Sequence, residues 1–496
     1  MAVDAAEKYL INEKGISSLG LMKTAAHGMY MKIRDIAVKG CGICILCGKG
    51  NNAGDGYELA RLLSADGHDV VCVRVFGGAP GSETAGRCYE SYVSSDGKVI
   101  DDFDAALRAA ASSEIIVDAV FGIGFSGVIE KDSFLYRLLE FVNGTKAKRI
   151  AIDVPSGVNS ADGGIGGIAF QAHETYAVSV IKTGMLSYPA KKYCGEVSII
   201  DIGISESIIE LFGDVCLIPD DDYIRKVLPE RREDSHKGDF GKLLCICGSE
   251  CMTGAAVMSV GAALRSGAGL VSLASEKSVT DVVKLSCYEA IYKITDFEDD
   301  ASVNALLQSL NDYDAVLIGC GLGISEKKQK LVEAIIKKYC GRLIIDADGI
   351  NLVSHNIDVL REAKCTVILT PHPGEFSRIS GIAVPEINER RIKCANSFAH
   401  TYRCITVLKG AGTVVSDGER FSVNTTGNPG LAKGGSGDVL AGLIAGLAAN
   451  KEISPFDAAL SGVYLHGKAA DVLKQKYSEY GLLPSDLAKE FATLLP

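Results

Sequence analysis

At 496 residues the chain is about three times the usual ~150-residue domain, so two or three hydrophobic cores are expected rather than one. Its 51 Lys and Arg against 62 Asp and Glu give a net charge of −11, the wrong sign for a protein that works on nucleic-acid phosphates. A hydrophobic share of 47% with 23% charged residues excludes wholesale disorder, and 55 glycines beside 12 prolines point to tight turns and phosphate loops rather than linkers.

The chain opens with MAVDAAEKYLINEKG, which is acidic and has no apolar core, so no secretory signal is expected and the protein is placed in the cytosol. Apolar stretches such as Val439 to Ala449 are too short and too glycine-rich to span a membrane. The 16 cysteines are then expected as reduced thiols. Cys41, Cys44 and Cys47 read C-x-x-C-x-x-C, but GICILCG has the pattern of a buried strand, along which residues three apart face opposite sides. The same reading, small hydrophobes in a strand, applies to Cys245 and Cys247 in KLLCICG.

Strand-like runs alternate with helical stretches in two series. GICILCG, DVVCVRVF, SEIIVDAVFG and KRIAIDVP form the first; GKLLCICG, YDAVLIGCG, RLIIDADG, CTVILTPHPG and CITVLKG form the second. That alternation predicts α/β folding, with parallel sheets covered by helices on both faces. A less ordered stretch from about Ser205 to Asp239 separates the series, so two αβα domains are expected, residues 1–215 and 217–496.

In the first series, the strand GICILCG runs into GKGNNAGDG and then a helix, leaving backbone N–H groups free for an anion. Asn51, Asn52 and Asp55 add oxygen atoms suited to ribose, phosphate or a hard cation. Asp118 and Asp153 end two further strands, at the sheet edge where ligands bind. Together with Ser156 they predict an acidic, amide-lined pocket.

GKGNNAGDG, DAVFGIGFSG and DVPSGVNSADG together resemble the NAD(P)H-hydrate epimerase domain, a Rossmann-like module that interconverts the R and S forms of hydrated NADH and NADPH. The resemblance implies that Asn51, Asn52, Ala53, Gly54 and Asp55 bind the hydrated dinucleotide with Gly122, Ile123, Gly124, Phe125, Ser126, Gly127 and Val128. It implies Asp153 as the catalytic carboxylate and a potassium ion on Asn52, Asp118 and Ser156. The family loop usually reads N-N-G-G-D-G, so the methyl group of Ala53 is expected to crowd the approach to phosphate. Lys23 and Ala26 depart in the same way from the acidic residue and glycine usual in the preceding helix.

The second series ends in NPGLAKGGSGDVLAGLIAGLAA, where a G-x-G-D turn leads straight into an apolar helix. That turn sets Asp438 beside backbone N–H groups able to stabilise a transferring phosphoryl group. The turn resembles the ribokinase-like fold. HKGDFG, MTGAA, TPHPGE, KGAGT and LAKGGSGDVLAG together resemble the nucleotide-dependent NAD(P)H-hydrate dehydratase. The resemblance implies that Ala255, Gly323, His372 and Asp438 contact the hydrate, with Asp438 as catalytic base, and that Lys409, Gly410, Ala411, Gly412, Thr413 and Gly437 hold the nucleotide. It implies magnesium on the nucleotide and a phosphoryl donor that is ADP, with ATP the alternative. His372, set between two prolines, also has a purely structural reading as a turn former, and Lys433 replaces the usual threonine.

A bifunctional repair enzyme, working as a homo-oligomer without nucleic acid or membrane, is thus expected. The competing readings are a small-molecule kinase of the hydroxymethylpyrimidine or thiazole type, which shares the G-x-G-D turn, and a non-catalytic module of the RNA-associated kind. The second should have lost its acidic pocket, whereas Asp118 and Asp153 are both present.

Overall fold

A computed structural model describes residues 2–213 and 216–496. The chain divides into two compact units, 1–215 and 216–496, each built on its own sheet.

The first sheet has seven strands, β1 (Gly42–Cys47), β2 (Asp69–Arg74), β3 (Lys98–Ile100), β4 (Ile115–Ala119), β5 (Lys148–Ile152), β6 (Glu174–Val178) and β7 (Glu196–Ile200). They run parallel in the order β3-β2-β1-β4-β5-β6-β7. The order reverses between β1 and β4, opening a crevice beyond their carboxyl ends. Helices α1 (Ala2–Lys14), α2 (Ser18–Ile36) and α3 (Asn51–Ala65) pack on one face, while Phe103–Ser112 and Phe134–Asn143 pack on the other. The strand period of two decides the fate of the cysteine run: Cys41 and Cys47 join one core layer and Cys44 the other.

The second sheet has ten strands in the order β11-β10-β9-β12-β13-β14-β15-β16-β17-β8. They are β8 (Cys216–Leu217), β9 (Lys242–Ile246), β10 (Leu270–Ser275), β11 (Ile291–Ile294), β12 (Ala315–Ile318), β13 (Arg342–Ile345), β14 (Thr366–Leu369), β15 (Ile405–Leu408), β16 (Val414–Ser416) and β17 (Phe421–Val423). Pairing is parallel from β11 to β15 and antiparallel at β15-β16 and β16-β17. The apolar helix Ser436–Ala449 is buried along most of its length against the helices Thr253–Arg265 and Pro455–Gly481. Glycine is required at that crossing, because a Cβ at Gly442 would lie 2.1 Å from the Ser259 carbonyl oxygen.

The stretch 205–239 is more regular than its composition suggested. It forms the helices Glu206–Glu210 and Asp221–Val227, and β8 pairs with β17. Burial of Ile224 and Leu228, with hydrogen bonds from Tyr223 to Asp457 and from Tyr464 to Asp221, both 2.8 Å, fixes its second half to the second unit. Among the described residues no helix is long and apolar enough to cross a membrane.

Candidate functional site

In the first unit a cavity of about 580 Å³ opens over the ends of β1, β4, β5 and β6. Its lining includes Asn51, Asn52, Asp55, Gly122, Ile123, Gly124, Phe125 and Asp153. The remaining expected residues fall elsewhere: Ser126, Gly127 and Val128 lie outside the lining, with Val128 67% exposed. Ala53 and Gly54 turn away from the cavity. The Ala53 methyl is fully buried in the core, so it does not crowd a phosphate, and a Cβ at Gly54 would meet Met22 at 2.6 Å. Ala26, the other small departure, is also core.

Asp153 sits just past the end of β5 with φ at +66°, a left-handed conformation that costs a non-glycine residue about 1–2 kcal/mol. Its carboxylate is ion-paired with Lys182 and accepts from the N–H groups of Ile123 at 3.2 Å and Val178 at 3.3 Å. Lys182 also donates to the Val178 carbonyl at 2.7 Å. Nothing in the local sequence VIKTG singles this lysine out, because its partner is 29 residues away. Glu7, from α1, is a second unexpected member of the lining. Burial, then the negative charge of Asp153, raises the pKa of both Asp55 and Glu7.

Asp118 and Ser156 come together as expected. Asp118 Oδ1 accepts from Ser156 Oγ at 2.7 Å and from Val120 N–H at 3.1 Å, and Oδ2 accepts from Ser156 N–H at 2.7 Å. Asn52 reaches the same strand ends, donating to the carbonyls of Phe121 at 2.9 Å and Ile152 at 3.3 Å. Asp118 is fully buried with no cationic partner among the described residues, and burial pushes its carboxyl up to about 6. A buried carboxylate that no protein cation offsets, bonded to Ser156 Oγ and near the Phe121 and Ile152 carbonyls that Asn52 holds, fits a hard monovalent ion.

The second site lies at the carboxyl edge of β9, β12, β13, β14 and β15. Asp438 stands in the first turn of Ser436–Ala449, and its carboxylate lies within 4.8 Å of ligand atoms of Cys320 and Asp346. Burial, then the negative charge of Asp346, raises Asp438 to about 6. Asp346 is itself 1% exposed and is bound by Lys409 Nζ and Thr370 Oγ1, each at 2.7 Å. Lys409 also approaches Glu375 at 3.9 Å, so its ammonium is held by two acidic side chains. A Cβ at Gly437 would lie 3.4 Å from Lys409 Nζ, which brings the two expected nucleotide-binding segments together.

Gly323, with φ at +80°, donates its N–H to Asp348 at 2.8 Å, and Ala255 follows the start of Thr253–Arg265 beside Gly321. His372 has a structural role of its own. Its Nδ1 accepts from Gly374 and Glu375 N–H at 3.0 and 3.3 Å, while Glu375 accepts from His372 N–H at 2.8 Å, a capping box for Pro373–Ser380. With Nδ1 accepting, the ring proton is on Nε2, on a side chain 51% exposed. Lys433 donates to the carbonyls of Tyr480, at 2.6 Å, and Leu482. Asp346, in RLIIDADG, directly follows β13 as Asp153 follows β5, so the strand-end carboxylate rule that singles out Asp118 and Asp153 marks it in the sequence as well. Glu375, from PHPGEF, escapes that rule because it sits inside a helix.

The cluster of Cys320, Asp346 and Asp438 does not suit magnesium. The thiol is a soft ligand, and Asp346 is already committed to Lys409 and Thr370.

These sheets and the acidic side chains at their strand edges define a two-unit α/β enzyme whose second unit is ribokinase-like. A ribokinase-like superfamily protein from Enterococcus faecalis superposes on 56% of this chain and 94% of its own, with 29% identity and a TM-score of 0.50. Residues 18–184 match the family of YjeF-related protein N-termini, and residues 243–493 match the NAD(P)H-hydrate dehydratase family. A bifunctional NAD(P)H-hydrate repair enzyme of Coxiella burnetii is 33% identical across 97% of this chain and 96% of its own length. The protein of that description from Escherichia coli K12 is 32% identical across 97% and 89%. The chain belongs to the bifunctional NAD(P)H-hydrate repair enzyme family.

Proposed function

We propose that the first unit, residues 1–215, interconverts the R and S hydrates of NADH and NADPH, and that the second, residues 217–496, dehydrates the S form at the expense of ADP. The observation that carries this reading is Asp438, a carboxylate raised to about 6 at the mouth of a glycine-lined helix N-terminus, with Lys409 beside it.

The chemistry follows from the substrate. Its hydroxyl is on carbon 6 of the ring, next to the ring nitrogen, and hydroxide is a poor leaving group. Asp438 takes the hydroxyl proton as the oxygen attacks the terminal phosphorus of ADP; a phosphate ester forms and AMP departs. N–H groups of Gly435 to Asp438 stabilise the charge on the moving phosphoryl group, with Lys409 lending a fixed positive potential. The nitrogen lone pair then expels phosphate from carbon 6, the departing phosphate takes a proton from carbon 5, and the double bond between these carbons restores the dihydronicotinamide. The sum is hydrate plus ADP giving NAD(P)H, AMP, phosphate and a proton. Bound to the nucleotide phosphates rather than to a protein cage, magnesium would supply charge neutralisation.

In the first unit Asp153 is the catalytic carboxylate, and Asn51, Asn52 and Asp55 with Gly122, Ile123, Gly124 and Phe125 form the substrate groove. Asn52, Asp118 and Ser156 would hold potassium, whose charge would offset that of buried Asp118 and fix the strand-end loops. ADP is preferred because fusion of the epimerase ahead of the dehydratase resembles the bacterial arrangement.

The test is incubation of purified protein with mixed R and S hydrates, followed by chromatography. Without nucleotide the epimers should equilibrate; with ADP both should return to NAD(P)H, with kcat/KM higher than for ATP. Accumulation of a stable phosphorylated alcohol would instead favour the small-molecule kinase.

A further inference from the structure

Arg391 opens the helix Arg391–Tyr402, and no motif marks it in the sequence. It is 6% exposed, and among the described residues no carboxylate pairs with it. Nη2 donates to the carbonyls of Leu408 at 2.8 Å and Lys409 at 3.0 Å, where β15 ends and the KGAGT loop begins. Nε is buried and has no hydrogen-bond partner. Gly410, with φ at +150°, packs directly on the guanidinium, since a Cβ there would lie 2.8 Å from Nη2. Burial lowers the pKa of Arg391 to about 10, which still leaves it charged at neutral pH.

A guanidinium taken out of water is costly unless an anion or a full set of acceptors replaces its hydration. Two backbone carbonyls satisfy part of it. The remaining charge lies directly beneath the loop expected to take the nucleotide. We propose that Arg391 is a positioning residue of the nucleotide site, holding residues 409–413 through the Leu408 and Lys409 carbonyls, and that its acid-free charge is completed by a phosphate of the bound nucleotide. This inference rests on the assignment of KGAGT as the nucleotide loop.

Titration calorimetry of the full-length protein with ADP and with adenosine, at fixed salt, reads both parts. Arg391→Met should weaken ADP at least tenfold while changing adenosine less than threefold, the retained adenosine binding showing that the second unit is folded. Arg391→Lys, which keeps the charge but lacks the Nε–H and the planar guanidinium, should fall between wild type and Arg391→Met. Gly410→Ala, which displaces the guanidinium, gives a second route to the same loss should Arg391→Met fail to fold. ADP affinity within twofold of wild type in both Arg391→Met and Gly410→Ala, or equal losses for ADP and adenosine, overturns the proposal. A wild-type protein that binds neither nucleotide overturns the loop assignment itself.

Discussion

Both sites contain a buried lysine–carboxylate pair, but the pair is placed differently. In the first unit Lys182 is bound to Asp153, the carboxylate assigned to the chemistry, while Asp55 and Glu7 around it are pushed toward the neutral form. In the second unit Lys409 is bound to Asp346, and Asp438 is left without an ion pair, raised to about 6. In the first unit the working carboxylate is held in an ion pair; in the second the lysine is on the neighbour, and burial with the charge of Asp346 leaves Asp438 more basic. Epimerisation regenerates its own hydroxyl and needs no net proton removal, whereas the phosphoryl step releases a proton that a base must accept.

The strongest way to break the comparison is to neutralise each working carboxylate. Asp438→Asn should reduce nucleotide-dependent dehydration by about 10²–10⁴-fold and spare R/S interconversion, while Asp153→Asn should do the reverse. A folded variant losing both activities would show that the two sites are not independent.

Lys182→Met leaves Asp153 buried and unpaired, which should destabilise the first unit by about 3–5 kcal/mol in denaturant unfolding. Adding Asp153→Asn to that variant should recover part of the loss; strict additivity would mean that the pair is not coupled.

The potassium reading concerns only the first unit. Exchanging potassium for lithium should slow epimerisation by about tenfold without changing dehydration at saturating S hydrate, and Asp118→Asn should remove the ion sensitivity. Equal rates in the two salts would remove the ion from the mechanism.

The smallest effect is a displaced pH profile. Since Asp438 must be ionised to accept a proton, kcat/KM for dehydration should be flat above pH 6 and fall about tenfold per unit below it. The groups acting on Asp438 are Asp346 and Asp348, which raise its pKa, and Cys320 and Lys409, which lower it. Asp346→Asn removes a negative neighbour and frees Lys409 to act on Asp438, so the acid limb should move to lower pH. A limb moving upward would contradict the assigned field.

Strand-ending carboxylates and glycine turns are local features, which is why GKGNNAGDG, Asp118, Asp153 and the G-x-G-D turn were legible in the sequence. Side chains whose meaning comes from distant partners were not. Lys182 acquires its role from Asp153, Glu7 from the placement of α1 over the strand ends, and Arg391 from carbonyls 17 and 18 residues away. Ala53 shows the opposite error. Its place inside a glycine motif suggested proximity to the ligand, but the helical repeat of α3 turns its methyl into the core, so motif membership did not specify direction.

The left-handed backbone of Asp153 has a consequence for anyone selecting stabilised variants. Glycine relieves the strain at that position, but on its own it strands the Lys182 charge, so a screen that examines single substitutions will reject it. Paired with Lys182→Met it removes the strain and the stranded charge together, leaving the Ile123 and Val178 N–H groups to water in the cavity. A library sorted only for heat resistance can therefore reach this double replacement and enrich a sturdier protein whose first pocket no longer works, while assays that follow the second reaction on S hydrate report nothing amiss.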